Sequence, residues 1–173
     1  MILNKPGQTL RLRALELEDL DFLYSIENDE SLWDFGCANV PYSKYSLNNY
    51  IINGTCDIYA DKQMRLLMEN EEGKSVGLID LFNFEPKHLR AEVGIVVARE
   101  FRNRGYGNEA LKQIIAYGKQ TLHLHQLYVI VDNENTYSKK LFEGAGFTVQ
   151  ARLKDWVMRD NHYRDAVVMQ FFL

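Results

Sequence analysis

The stretch "REFRNRGYGNEA", residues 99–110, places arginines and two glycines between an apolar run and a helical pattern. Before it, "RAEVGIVVA" (90–98) is typical of a strand, and after it "NEALKQIIAYGKQT" (108–121) spaces its apolar residues as a helix does. Glycines at such a junction let backbone N–H groups approach an anion at the helix N-terminus, where the helix dipole favours negative charge. Because Arg102 and Arg104 add positive charge, the pattern predicts a cradle for a phosphate or pyrophosphate.

Two other interpretations of this loop remain open at the level of sequence. "GYGNEA" (105–110) fits the Gly-x-Gly-x-x-Gly/Ala pattern of dinucleotide-binding folds, and Asp132 ends the following strand. Against it, "REFRNR" separates the strand from the first glycine, and little chain remains after Gly105 for a doubly wound sheet. The glycines can also serve only to permit an unusual backbone in a turn. A Walker phosphate loop is excluded, since no Gly-Lys-Ser/Thr sequence occurs.

Composition limits the class of protein. A chain of 173 residues, 46% hydrophobic and 25% charged, is expected to form one domain over residues 1–173. The net charge of −4 argues against a nucleic-acid partner, and no apolar run is long enough to cross a membrane. Cys37 and Cys56 fit no metal-binding spacing, and neither do the histidines, so no metal is expected. The cysteines are interpreted as reduced thiols of a cytoplasmic protein.

The remaining segments predict an α+β domain. Alternating or continuous apolar residues indicate strands, and apolar residues at helical spacing indicate helices. The predicted strands are 9–15, 64–70, 75–84, 90–98, 126–132 and 167–173, with 154–166 as part of a final hairpin. The predicted helices are 16–28, 108–121 and 134–147, with a further helical segment between residues 31 and 60. A strand–loop–helix–strand unit therefore lies at the centre of the chain.

The central unit also resembles a known family. "FRNRGYGNEAL" matches the Arg/Gln-x-x-Gly-x-Gly/Ala signature of the GNAT superfamily of acetyl-CoA-dependent N-acetyltransferases, and "LYVIVDNEN" and "LFEGAGF" follow in the family's order. More narrowly, "VGLIDLF", "HLRAEVGI" and "YRDAVVM" resemble the bacterial spermidine N-acetyltransferases. The resemblance covers most of residues 9–172. It implies a mixed, mostly antiparallel central sheet flanked by helices, in which two central strands splay apart.

The resemblance implies acetyl-CoA as co-substrate and assigns residues to it. The pantetheine arm is expected to pair with the main chain of Ile95, Val96 and Val97, and the N–H of Val97 to polarise the thioester carbonyl. Asn135 matches the family asparagine that hydrogen-bonds the arm. The pyrophosphate is expected to lie against backbone N–H groups of Arg102, Asn103, Arg104, Gly105, Tyr106 and Gly107.

The acceptor side needs a base, because an amine with a pKa near 10.4 is protonated at neutral pH and must lose a proton before it attacks. Glu92, three residues before the pantetheine-pairing stretch, matches a glutamate of the polyamine acetyltransferases and is the predicted base or substrate ligand. The alternative for Glu92 is a solvated strand charge or one paired with Arg90. Asp80, on the preceding strand, is a second candidate for holding an ammonium group.

Two departures from the family pattern qualify these expectations. Phe142 stands where the family usually has a tyrosine that protonates the leaving thiolate, whereas Tyr137 falls on another helical face. Ser138, at i−4, shares the face of Phe142 and is the remaining candidate for relaying a proton or contacting the coenzyme. The acidic cluster of the polyamine enzymes is thin here, with Asn83 in place of an acid.

The sequence thus predicts an amine N-acetyltransferase that transfers the acetyl group directly. A polyamine or diamine such as spermidine is the first acceptor, with a protein N-terminus or another small amine, for example an aminoglycoside, as alternatives. The alternative outside enzymes is a sensor that binds acetyl-CoA without turnover. Four aromatic side chains are candidates either for an acceptor pocket or for the core: Trp33, Tyr42, Tyr45 and Trp156. A homo-oligomer is left open.

Overall fold

The structure, a computed structural model, describes residues 9–33, 40–55, 57–159 and 161–173. Seven strands are found in these ranges: β1 (Leu10–Arg13), β2 (Met64–Asn70), β3 (Ser75–Glu85), β4 (Arg90–Val97), β5 (Gln126–Asp132), β6 (Thr148–Arg159) and β7 (His162–Phe172). The helices are α1 (Leu20–Glu27), α2 (Glu30–Trp33), α3 (Lys44–Asn53), α4 (Ile58–Asp61), α5 (Tyr106–Gln120) and α6 (Thr136–Gly144). The predicted thiols Cys37 and Cys56 lie outside the described residues.

The seven strands form one sheet in the order β1-β2-β3-β4-β5-β7-β6. Neighbouring strands are antiparallel except for β4 and β5, which run parallel with α5 in the connection between them. The prediction of a mixed, mostly antiparallel sheet flanked by helices is confirmed. The dinucleotide-binding interpretation of the glycine loop is wrong, because that fold requires a mostly parallel, doubly wound sheet.

The parallel pair β4–β5 separates after a short shared ladder. Arg90, Ala91 and Glu92 pair with Gln126, Leu127 and Tyr128, and the register ends there although both strands continue. Residues 93–97 of β4 remain paired with β3 alone. A cleft therefore opens between the carboxyl halves of β4 and β5, as expected for splayed central strands.

Each face of the sheet is covered by different helices. On one face, Ala110, Leu111 and Ile114 of α5 are fully buried in a core cluster that includes Ala91 and Val93 of β4. On the other face, the buried Leu23 of α1 and Leu47 of α3 belong to a smaller cluster with Leu67 and Leu78. Burying a leucine stabilises the fold by about 1.5–3 kcal/mol, so both faces are fixed by packing. We call the face covered by α1 and α3 the acceptor face.

Strand β5 differs from its sequence-based expectation in a way that matters for the site. "QLYVIVD" predicts a fully buried strand, but only Leu127, Val129 and Val131 are buried, while Tyr128 and Ile130 are half-buried on the opposite face. The period of two places Tyr128 on the acceptor face. Of the aromatic side chains considered for a pocket or the core, Tyr42, Tyr45 and Trp156 are exposed, and Trp33 is half-buried. No helix in the described ranges is long and apolar enough to span a membrane.

Candidate active site

The loop between β4 and α5 has the backbone that its glycines predict. Gly105 has φ +85° and occupies the position just before the first residue of α5, Tyr106. Residues other than glycine are strained in this left-handed conformation. Because Gly105 has no side chain to cap the helix, the first N–H groups of α5 stay free of a side-chain cap and point out of its positive end. The loop can therefore hold an anion through main-chain donors.

The two arginines of the loop make contacts within it. The Arg102 Nε donates to the carbonyl oxygen of Val97 over 3.0 Å, which ties the loop back to the end of β4. The Arg104 guanidinium lies 5.5 Å from the ring centroid of Phe101. Asn103 adopts φ +60°, a left-handed conformation that asparagine tolerates better than most residues. The arginines thus shape the loop as well as contributing positive charge.

Gly107 is needed for a different reason. A Cβ atom there would lie 3.3 Å from both δ-carbons of Leu141 on α6 and 3.8 Å from Cγ2 of Val97. This glycine allows the first turn of α5 to pack closely against α6. On α6 itself, Asn135 is the N-cap, and its Oδ1 accepts from the backbone N–H of Ser138 at 3.0 Å. The Asn135 amide nitrogen is the group that remains to reach a coenzyme arm.

The main chain of β4 alternates between its two neighbours. The N–H of Ala98 donates to Val76 of β3 at 2.9 Å, and in an antiparallel ladder every second residue points the same way. The main-chain groups of Val96 therefore face β3, whereas those of Ile95 and Val97 face the cleft. Main-chain groups that have lost a strand partner require another hydrogen-bonding partner. The main chain of Ile95 and the N–H of Val97 are thus better placed than Val96 to pair with a coenzyme arm, whereas the Val97 carbonyl oxygen already accepts from Arg102.

Glu92 lies where β4 and β5 begin to separate. It is only 8% exposed, and its Oε2 accepts from Asn83 Nδ2 at 2.9 Å. Tyr128, the ladder partner of Glu92, lies beside it, and its hydroxyl interacts electrostatically with Glu92 and Asn83. Burial and the neighbouring Glu92 charge raise the pKa of Tyr128 above its usual value. Glu92 is therefore a buried, hydrogen-bonded carboxylate, and neither the solvated alternative nor the pairing with Arg90 describes its surroundings.

The second acidic candidate, Asp80, is on the same face but has a strong partner. Arg65 donates to both Asp80 oxygens, from Nε at 2.8 Å and Nη2 at 3.0 Å, and from Nη1 to Glu27 at 2.6 Å. Burial opposes the charge of Arg65, but the two carboxylates outweigh it and raise its pKa. The ring centroid of Tyr50 lies 5.7 Å from the same guanidinium. An ammonium group at Asp80 would have to share the carboxylate with Arg65.

The candidates on α6 differ sharply in exposure. Phe142 is 2% exposed and packs edge-to-face on Phe147 with ring centroids 5.1 Å apart. Tyr137 is 84% exposed, so its hydroxyl lies in solvent. Ser138 is half-buried, and its backbone N–H, not its hydroxyl, makes the capping bond to Asn135. The Ser138 hydroxyl therefore has no role in the cap.

A shallow concavity of about 310 Å³ adjoins the Glu92 cluster. It is lined by Arg90, Gln126, Tyr128, Ile130, Val168 and Gln170. Sequence reasoning did not single out Tyr128, although the alternation of "QLYVIVD" would have placed it on the face of Glu92 once the register of β4 and β5 was known. Within the described ranges, no three His, Cys, Asp or Glu side chains cluster as metal ligands would.

Taken together, a mostly antiparallel sheet that splays at one parallel pair, with a glycine loop and a helix joining the two strands, is the arrangement implied by the resemblance to acetyl-CoA-dependent acetyltransferases. Residues 9–148 match the sequence profile of the Acetyltransferase (GNAT) domain, and the chain belongs to this family. The chain is an acyltransferase that moves an acetyl group from acetyl-CoA to an amine.

Individual relatives point in the same direction. The chain is 29% identical over 166 residues to the spermidine N(1)-acetyltransferase of Escherichia coli K12, covering 96% of this chain and 87% of the relative. It is similar to the crystal structure of the Vibrio cholerae spermidine N-acetyltransferase in complex with CoA and spermine, with a TM-score of 0.83, 26% identity and 95% of each chain covered. A dodecameric structure of that Vibrio enzyme gives a TM-score of 0.79 at 28% identity, covering 95% of this chain and 94% of the other.

Proposed function

We propose that this enzyme acetylates a primary amine of the polyamine or diamine type, such as spermidine, by direct transfer within a ternary complex. The observation that carries the proposal is the position of Glu92, a buried carboxylate on the last shared pair of β4 and β5, beside the opening of the cleft. The similarity to enzymes named for spermidine supports this choice of acceptor.

On the coenzyme side, the main chain does the binding. The N–H groups from Arg102 to Gly107 and the positive end of α5 are suited to hold the pyrophosphate. The cleft-facing main chain of Ile95 and Val97 pairs with the pantetheine arm, and Asn135 contributes its amide. The N–H of Val97 donates to the thioester oxygen and stabilises the negative charge that develops on it.

On the acceptor side, Glu92 is the proton acceptor. Glu92 accepts the proton that the substrate ammonium group loses, directly or through water, and the neutral amine nitrogen then attacks the thioester carbonyl carbon. As the carbon–sulfur bond breaks, the nitrogen releases its second proton and the departing thiolate takes up a proton, for which the Ser138 hydroxyl is the candidate relay. Glu92 then returns its proton to solvent, so the carboxylate is restored at the end of each cycle.

The charges of the acceptor face bear on the choice of amine. Asp80 and Glu27 are both engaged by Arg65, and Asn83 occupies a position where polyamine enzymes carry an acid. A polyamine would therefore rely on Glu92 and on a share of the Asp80 carboxylate. A protein N-terminus or another small amine needs only one carboxylate for its ammonium group. Among the alternatives to a polyamine, this charge distribution favours such an amine.

The test is a panel of amines in which the release of free thiol from acetyl-CoA is followed. Spermidine, putrescine, a monoamine of equal length, an aminoglycoside and a peptide with a free N-terminus are compared at saturating acetyl-CoA. We expect spermidine or the diamine to give the highest kcat/KM. Preference for the peptide or the monoamine would replace the polyamine assignment, and tight acetyl-CoA binding without turnover on every amine would indicate a sensor.

We further propose that the chain forms a homo-oligomer in the cytoplasm. The dodecameric structure of the similar Vibrio enzyme supports assembly. So does the edge strand β6, on which Trp156 and Met158 are 57% and 66% exposed. Light scattering coupled to size exclusion measures the mass directly, and a strictly monomeric mass would contradict this proposal.

A further inference from the structure

Side chains from three neighbouring strands meet at the point where β4 and β5 part. Asn83 comes from β3, Glu92 from β4 and Tyr128 from β5, and Glu92 and Tyr128 are partners in the last pair of the parallel ladder. The Asn83 amide donates to Glu92, and Tyr128 lies beside Glu92 in the ladder with a hydroxyl that interacts electrostatically with both residues. The carboxylate is thus approached by neutral donors from both flanking strands.

Asn83 reaches Glu92 because β3 is irregular there. The register of β3 against β4 shifts between Phe82 and Glu85, and Asn83 has φ +48°. An extra residue in one strand bends it locally and changes the direction of a side chain, and asparagine is among the few residues that tolerate a left-handed backbone. The irregularity therefore turns the Asn83 side chain so that its amide lies against the Glu92 carboxylate.

Tyr128 is suited to donate rather than accept. Burial and the charge of Glu92 raise the pKa of its hydroxyl, which therefore keeps its proton at neutral pH. An ionised carboxylate offers about four lone-pair sites, so two neutral donors leave sites free for a proton from the substrate. Two donors also fix the orientation of the carboxylate, which matters for a proton acceptor that must meet a reacting amine.

We propose that Asn83 and Tyr128 are positioning residues that hold the Glu92 carboxylate oriented toward the opening of the cleft. Neither residue touches the reacting atoms in this scheme, since both act through Glu92. The proposal rests on the proposed role of Glu92 as the proton acceptor. Other charged groups on the acceptor face are Arg90 on the same strand and, from β2, β3 and α1, the mutually paired Arg65, Asp80 and Glu27.

The experiment measures kcat against pH at saturating acetyl-CoA and amine, which reports groups of the bound complex rather than of the free amine. In Asn83→Asp, a second carboxylate replaces a donor 2.9 Å from Glu92 while the preference for a left-handed backbone is kept. Two carboxylates at this distance cannot both ionise easily, so the acidic limb of the profile should move up by roughly one pH unit or more.

Tyr128→Phe removes the other donor and should shift the same limb upward by a smaller amount. At neutral pH, kcat should fall by about tenfold, less than the roughly 10²–10⁴-fold contributed by a proton-transfer group, because Tyr128 acts through Glu92. The affinity for acetyl-CoA should be unchanged. Tyr163→Phe removes a hydroxyl from a tyrosine that is 68% exposed on β7 and serves as the matched control. It should leave the profile in place.

The outcomes separate this proposal from the proposed function. If neither Asn83→Asp nor Tyr128→Phe moves the limb while Glu92→Gln is strongly impaired, positioning is overturned and the role of Glu92 stands. If Glu92→Gln is as active as the parent enzyme, the role of Glu92 itself fails. A lower melting temperature with an unchanged pH profile would show that the two residues serve folding only. Should Tyr128→Phe fail to fold, the profile of Asn83→Asp decides alone.

Discussion

The two sides of the cleft are built on different principles. The side proposed to bind the coenzyme, called the coenzyme side, is made from main chain within one short segment: the cleft-facing groups of Ile95 and Val97, the turn held by Arg102, and the left-handed Gly105 before α5. The acceptor side is made from side chains of Asn83, Glu92 and Tyr128, which only the pairing of three strands brings together.

This difference predicts opposite responses to substitution. A main-chain site tolerates most changes of side chain and fails where a backbone conformation is lost, which should weaken acetyl-CoA binding. A side-chain site fails when one functional group is exchanged, which should lower kcat and leave acetyl-CoA binding intact. Variants on the two sides can therefore be told apart by which kinetic constant they change.

The largest effect is expected for Glu92→Gln. The amide keeps the shape of the carboxylate and can still accept from Asn83, but it cannot take up a proton. We expect kcat/KM for the amine to fall by roughly 10²-fold or more, with the affinity for acetyl-CoA nearly constant. Steady-state kinetics and calorimetry measure the two quantities, with Glu85→Gln at the end of β3 as the control. A loss confined to coenzyme binding, or to folding, would remove Glu92 from the chemistry.

A smaller effect, on the other side of the cleft, is expected for Gly105→Val. The side chain meets no atom within 4 Å, so the damage comes from forcing a β-branched residue to φ +85° beside the anion site. We expect acetyl-CoA to bind at least about tenfold more weakly. The left-handed conformation strains the valine by about 1–2 kcal/mol or more, and a movement of the loop that relieves this strain displaces the anion site.

Gly73→Val is the matched control for that experiment. Gly73 lies in the turn between β2 and β3 with φ +75°, and it too has no atom within 4 Å of a Cβ. Both variants should lose similar stability in thermal melts, but only Gly105→Val should lose affinity in calorimetry. Equal affinity in the two variants would contradict the main-chain cradle.

Phe142→Tyr tests whether activity rises when this position regains the tyrosine hydroxyl that the family usually has there. If the ring occupies the position that the family match implies, the hydroxyl should reach the leaving thiolate and raise kcat several-fold. We expect the parent enzyme, which has Phe142, to be active as well, because a thiolate with a pKa near 8.5 leaves without strong assistance. The alternative outcome is a lower melting temperature with no gain in kcat. It would mean that the hydroxyl is buried without a partner beside Phe147 and that α6 is not positioned as expected.

The smallest effect is expected for Ser138→Ala. The capping bond of α6 uses the Ser138 backbone N–H, so the substitution removes the hydroxyl and leaves the cap intact. We expect kcat to fall by several-fold at most, with an unchanged melting temperature. A loss approaching that of Glu92→Gln would instead make Ser138 the principal proton donor to the thiolate. Turnover of the best amine, measured in parallel for Ser138→Ala and Phe142→Tyr, distinguishes these cases.

The coenzyme side was predictable because its signals are local. The glycine turn, the strand before it and the helix after it depend on residue types within one segment. The helix starts at Tyr106 rather than at the predicted residue 108, and the strand ends at Val97 rather than at 98. The sequence could not predict that the main-chain groups of Val96 face β3 while those of Ile95 and Val97 face the cleft, because the direction of each N–H depends on the register with β3. The roles of these residues in coenzyme binding stay predictions until the variants are measured.

The acceptor side was only partly predictable. Glu92 could be chosen by its position before the cleft-lining stretch, but its burial and its bond to Asn83 follow from an irregularity that no short motif encodes. Asp80 was a candidate for holding an ammonium group, whereas Arg65 from the neighbouring strand engages both of its oxygens. Both differences arise from pairing between strands.

By itself, the sequence determined the order of strands and helices and the glycine loop before α5, because local backbone preferences and apolar periodicity specify these features. The family followed from the resemblance of the motifs around that loop. Only the tertiary structure decided which side chains meet where β4 and β5 part. The contact of Asn83, Glu92 and Tyr128 requires one register between three strands, and a shift by a single residue would turn each side chain to the opposite face.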